Sequence, residues 1–116
     1  METEEWWVPV GPAPEEIVWT GVPQVNAYMD ACRTLRHAKW AAGEARETYR
    51  AIRETTRYSG HPSGAPTRLR HAAGERDRMW RLACAAFRVA HEARAAAHEA
   101  APELAAQIDE AFPDHP

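Results

Sequence analysis

Ser59-Gly60-His61-Pro62-Ser63-Gly64-Ala65-Pro66 packs glycine, proline and serine into eight residues, a composition that ends any regular element. On its N-terminal side, Tyr28, Ala31, Leu35, Ala38, Ala42, Ala45, Tyr49, Ile52 and Thr56 follow a 3-4 spacing. On its C-terminal side, Leu69, Ala73, Arg76, Trp80, Ala83, Phe87, Ala90, Arg94 and Ala97 do the same, with two arginines interrupting. A row of that period is one face of a long α-helix. Two such rows joined by a short breaker predict an all-α fold, a long antiparallel helical hairpin with helices at about 23–58 and 67–100.

The ends of the helices can be read from their punctuation. Pro23 suits a first helical position and Asn26 an N-cap, and Gly60 suits the residue just past a C-terminus. Pro102 interrupts the second helix, after which Leu104, Ile108, Ala111 and Phe112 predict a short third helix over about 102–112. Pro113 and Pro116 end it, leaving a tail at 113–116. Residues 1–22 hold Trp6, Trp7 and Trp19 among Pro9, Pro12 and Pro14. Prolines at that density exclude a continuous helix, and indoles at that density favour burial, so an extended aromatic arm is expected.

Alanine at most seam positions lets two helix axes approach closely, yet a buried Ala contributes far less than the ~1.5–3 kcal/mol of a buried Leu or Phe. The second helix carries a further apolar row: Met79, Leu82, Ala86, Val89, Ala93, Ala96 and Ala100. Two rows side by side make a face wider than one partner helix covers. The arm, the third helix and a second copy of the chain are the expected occupants, and a bundle of two hairpins is the simplest arrangement.

Charge is segregated along the chain. Residues 1–25 and 95–116 each contain five acids and no Lys or Arg, so all 14 basic residues fall between Arg33 and Arg94. Arg36, Lys39, Arg46, Arg50, Arg53 and Arg57 form a row beside the first seam. Such a row can track phosphates or meet an acidic protein surface. The sequence pI of 6.1 and the want of any helix-turn-helix or zinc-finger pattern weigh toward the second. Lys39 is the sole lysine, and arginine with abundant alanine reflects GC-rich coding.

Catalytic and metal patterns are incomplete. His91 and His98 share a helix face but lie ~10 Å apart along it, too far for one ion. His71 and Glu75 have chelating spacing but supply only two ligands. Glu44-x-x-Glu47 with Glu75 and Asp77 resembles in part the all-α nucleotide pyrophosphohydrolases of the MazG type. Arg78 stands where their second motif needs an acid, which removes a Mg²⁺ ligand. Cys32 and Cys84 fall on different turns of the hairpin, ~10 Å or more apart, and a bridge within the chain is not expected. No apolar run approaches the ~20 residues of a membrane span, and there is no secretory pattern.

The sequence therefore reads as a cytoplasmic, non-enzymatic helical interaction module without a cofactor. It self-associates as a homodimer or binds a protein partner, with Trp6, Trp7, Trp19, Trp80 and Phe87 as anchors. The alternative is a nucleic-acid-binding hairpin using the Arg36–Arg57 row, and a metal or cofactor bundle is a third. Replacing Trp6 and Trp7 with alanine is expected to weaken association while leaving the helical circular dichroism nearly intact. Unaltered association would remove the arm from the interface.

Overall fold

In a computed structural model of the chain, the described residues, 20–58 and 65–113, form three helices: α1 (Pro23–Tyr58), α2 (Ala65–Ala100) and α3 (Pro102–Ala111). The α1 and α2 helices are antiparallel, and α3 lies at the end away from the turn, against the start of α1 and the end of α2. The expected third anchor, Trp19, falls outside these residues together with Trp6 and Trp7, and so does the side chain of Arg57.

The register follows from the alanines. Ala42 packs with Ala83, Leu35 and Ala31 with Ala90, and Tyr28 with Ala97, each within one buried cluster. Residue numbers facing each other across the hairpin thus sum to about 125, as a turn centred near residue 62 requires. Ala42, Ala83, Ala90 and Ala97 are fully enclosed, which happens only when two backbones run close enough for a methyl group to fill the space between them. Both cysteines are free, Cys32 buried and Cys84 partly so.

Helix ends obey local chemistry with small departures from expectation. α1 begins at Pro23, and Asn26 acts from inside its first turn. The Asn26 Oδ1 atom accepts from the Thr20 backbone N–H at 2.7 Å and from its hydroxyl at 2.9 Å, while Nδ2 donates to the Thr20 carbonyl at 2.9 Å. That reciprocal clasp turns the incoming chain onto the helix. α2 starts two residues before the expected Thr67, because a proline at position 66 sits in the first turn, where its absent N–H breaks no helical bond. At the other end, the Ala101 N–H still donates to Ala97 at 2.8 Å, but its φ of −154° and ψ of 82° leave the helical region. Pro102 forces that, since the residue before a proline is pushed out of the α region. One residue therefore makes the corner between α2 and α3.

The large side chains gather at that corner. Val25, Tyr28, Met29, Cys32, Ala97, Ala105, Ile108 and Phe112 form the main buried cluster, and Tyr28, Phe112, Leu35 and Val25 are the largest side chains that are fully enclosed. At ~1.5–3 kcal/mol for each large apolar side chain, most of the burial energy lies in this half. Toward the turn, the seam thins to Ala42 and Ala83 with Ala38, Met79 and Trp80 against them. The molecule is long, 58 Å in its greatest extent, with a radius of gyration of 17.9 Å against the roughly 13 Å of a compact chain of about this size.

Gly43 and Gly74 lie in the middle of α1 and α2, and a Cβ at either position would meet nothing within 4 Å. Helical glycine costs about 0.5–1 kcal/mol relative to alanine through chain entropy. Gly43→Ala and Gly74→Ala should therefore each raise the unfolding free energy by about that amount. Urea unfolding would measure it, and a loss of stability at either site would show a close approach that the fold does not contain.

Candidate functional site

The two arginines that interrupt the α2 seam both have definite partners. Arg94 donates from Nε and Nη2 to the two oxygens of Asp109 on α3, each at 3.0 Å. His98, one turn further along α2, places Nε2 2.9 Å from Asp109 Oδ2. Tyr28 on α1 donates its hydroxyl to Asp109 Oδ1. One carboxylate thus ties together all three helices. Burial pushes the Asp109 carboxyl up, but the hydrogen bonds from Arg94, Tyr28 and His98 outweigh it and hold the group well below the usual carboxylate range. Burial, reinforced by the bond to Asp109, pushes the Tyr28 phenol above its ordinary value.

That arrangement is a joint. A general base needs a free lone pair at a pKa near the working pH, whereas these contacts engage both Asp109 oxygens and the group stays ionised. The sequence reading did not find this cluster. Its only traces were the i, i+4 spacing of Arg94 and His98 and an aspartate directly after Ile108 in a short amphipathic helix.

The α3 helix packs over one flank of the hairpin at its end away from the turn, and among the described residues no element lies over the other flank, which is bare in that sense. Along the α3 flank of α2 run Arg94, Phe87, Trp80 and Arg76, spaced by 7, 7 and 4 residues and hence on one line. Trp80 and Phe87, expected as anchors, pack against the seam clusters of Ala42–Ala83 and Leu35–Ala90. On the bare flank, Met79, Ala86 and Ala93 are partly buried against the seam clusters, and Leu82 and Val89 beside them are exposed. Leu82 is 50% exposed and Val89 59% exposed, one helical heptad apart. Beside this row, nearer the turn, a cleft of about 550 Å³ opens between α1 and α2, with Ala45, Thr48 and Ile52 on one wall and Arg68, His71, Ala72 and Glu75 on the other. Trp40, 61% exposed on the back of α1, was not expected as a surface aromatic.

The basic row of α1 divides in two. Arg36 and Lys39 are buried, at 7% and 3% exposure, on the α3 flank. Arg46 is half-buried and Arg50 and Arg53 are exposed, near the turn. Their spacing puts them along one face of α1, and what covers that face changes along its length. A phosphate track running the length of α1 loses its first two members to burial. Arg78, which occupies the place of the acid needed by a pyrophosphohydrolase motif, instead forms a bidentate pair with Glu75. Among the described residues, no group of three or more His, Cys, Asp or Glu side chains is placed to hold a metal ion. No described helix is long and apolar enough to cross a membrane. No protein-family model, curated protein or solved structure matches this chain.

The Asp109 joint has a testable pH signature. Its folded pKa is lowered, so its stabilisation is complete above the unfolded value of about 3.9 and is lost as the pH falls toward the folded value. Asp109→Ala should cost about 3 kcal/mol at neutral pH, because it strands a partly buried Arg94 and the Tyr28 hydroxyl. The gap between wild type and variant should narrow as the pH drops below about 4. A gap equally wide at pH 7 and pH 2.5, read by chemical unfolding, would deny the joint its electrostatic role.

Proposed function

We propose that this chain is a non-enzymatic helical interaction module whose bare flank docks on a second copy of itself, running antiparallel. The observation that carries the reading is the unequal covering of the hairpin. The α3 helix and its joint cover one flank at the end away from the turn, while among the described residues the other flank has no covering element and presents Leu82 half exposed and Val89 more than half exposed beside Ala86 and Ala93. An elongated two-helix layer cannot hide both of its apolar sides, and a row wider than one neighbour covers favours a further helical layer.

Three features support a copy of the same chain as the occupant. A two-fold axis sets the same patch against itself, so alanine faces meet alanine faces and the spacing can stay short on both sides. The row is nearly straight and smooth, with Leu82 and Val89 as the knobs that a facing alanine groove receives. The charge distribution sets the direction. Residues 41–58 and 65–82, near the turn, hold nine basic and five acidic residues, a net of plus four. Residues 23–40 and 83–111, at the α3 end, hold five basic and six acidic, a net of minus one. Antiparallel copies place each basic end against the other's acidic end, which favours that orientation over the parallel one at modest ionic strength.

In this reading the module contributes binding surface and no chemistry of its own. A different helical protein with a small-residue face would use the same flank, and the oligomeric state separates the two cases. Sedimentation of the purified chain should give a species of twice the chain mass. Leu82→Glu combined with Val89→Glu should convert it to a monomer with unchanged helical circular dichroism. A wild-type chain that stays monomeric up to high micromolar concentration would overturn self-association.

A further inference from the structure

Near the turn, on the flank opposite the bare face, four arginines converge. Arg46, Arg50 and Arg53 come from α1 and Arg76 from α2, and with Tyr49 they line a cavity of about 160 Å³. None of the five lining residues is acidic. The Arg76 guanidinium lies 4.1 Å from the centre of the Tyr49 ring, a cation–π stack that fixes its plane and leaves its edge available for hydrogen bonding. Arg50 and Arg76 each meet an acid from outside the cavity. Glu47 reaches Arg50 at 3.5 Å, with both side chains more than half exposed, and Asp77 reaches Arg76 Nε at 3.3 Å. Pairs as exposed as these contribute little, about 0–1 kcal/mol, and each leaves most of a guanidinium's five donors for other acceptors.

We infer that this pocket binds a terminal phosphate, the doubly charged end of a phosphomonoester or a diphosphate. Four guanidinium groups around so small a space let one compact polyvalent anion meet several of them together. Guanidinium forks match the spacing of phosphate oxygens and hold them in pairs. The volume equals about five waters, enough for one phosphate group and its solvent. The preference for a chain end over a nucleic-acid backbone follows from the shape of the basic surface. A backbone needs a track of contacts at successive phosphates, and the row beyond Arg46 turns inward at Lys39 and Arg36. What remains is a point, and a point recognises one highly charged group.

The pocket and the bare flank lie on opposite sides of the hairpin, so the inference stands apart from self-association. Titration calorimetry at low salt, with inorganic phosphate, pyrophosphate and an unphosphorylated 20-nucleotide DNA as probes, tests it. Pyrophosphate should bind most tightly and inorganic phosphate more weakly, with the DNA weakest of the three. Arg76→Gln and Arg53→Gln should each weaken pyrophosphate binding at least tenfold with unchanged helicity. Leu82→Glu with Val89→Glu should leave it unaltered. In a parallel NMR titration, the Arg Nε–Hε resonances of Arg46, Arg50, Arg53 and Arg76 should move together. Absence of heat and of resonance shifts with either small anion at millimolar concentration would overturn the inference. Tighter binding of the DNA than of pyrophosphate, with steep salt dependence, would overturn it in favour of a polymer surface.

Discussion

The close approach of two alanine-lined helices governs everything else in this structure. Ala42, Ala83, Ala90 and Ala97 are wholly enclosed, and their small size sets both the register and the distance between α1 and α2. That fit comes with a thin core, because a methyl group removes little apolar area from water. A two-helix layer of this kind fixes geometry more firmly than it stabilises the fold. The stabilisation has to come from elsewhere, and it comes chiefly from one end.

At that end, α3 supplies what the seam does not. Phe112 and Ile108 bury apolar area against Val25, Met29 and Cys32, and Asp109 adds direction to the packing. Hydrophobic contact alone would let a ten-residue helix rotate or slide on an alanine surface. The Asp109 carboxylate admits few orientations, since its oxygens meet the Arg94 fork while Tyr28 and His98 approach from different helices. The single-residue corner at Ala101 then limits how far α3 can travel. Packing holds the helix down, and the polar joint selects one placement. Opening motions should accordingly be easiest near the turn, where large buried side chains are fewest.

Periodicity made most of the architecture readable. The 3-4 rows located α1 and α2, the Ser59–Pro66 breaker gave the antiparallel register, and Pro102 announced α3. What periodicity does not carry is the identity of the covering element on each face. Arg36 and Arg50 occupy equivalent places in one row, yet one is enclosed and the other solvated. Leu82 and Val89 were read into an apolar row, and nothing in their spacing told whether α3 would lie over them. The Asp109 joint was hidden for a related reason. Tyr28 and Asp109 stand 81 residues apart, and each belongs to an unremarkable local pattern. Arg76 and Arg94 were visible as breaks in a seam, and such breaks are informative: a charge placed on an otherwise apolar row costs solvation, so it tends to be retained where a specific partner compensates.

The two flanks and two ends of the hairpin therefore have separate physical duties. The α3 end concentrates burial and order, and its joint leaves no reactive group over. The turn end has a thin core and an excess of positive charge, which suits it to meeting an anion or an acidic surface. Between them, the bare flank offers shape without chemistry. An enzyme active site requires a concave, water-excluding pocket with convergent groups of matched pKa. The apolar cleft carries His71 and Glu75 on one wall, and the arginine pocket is lined by cations and Tyr49. Both features are suited to holding something, one through a smooth surface and the other through concentrated charge.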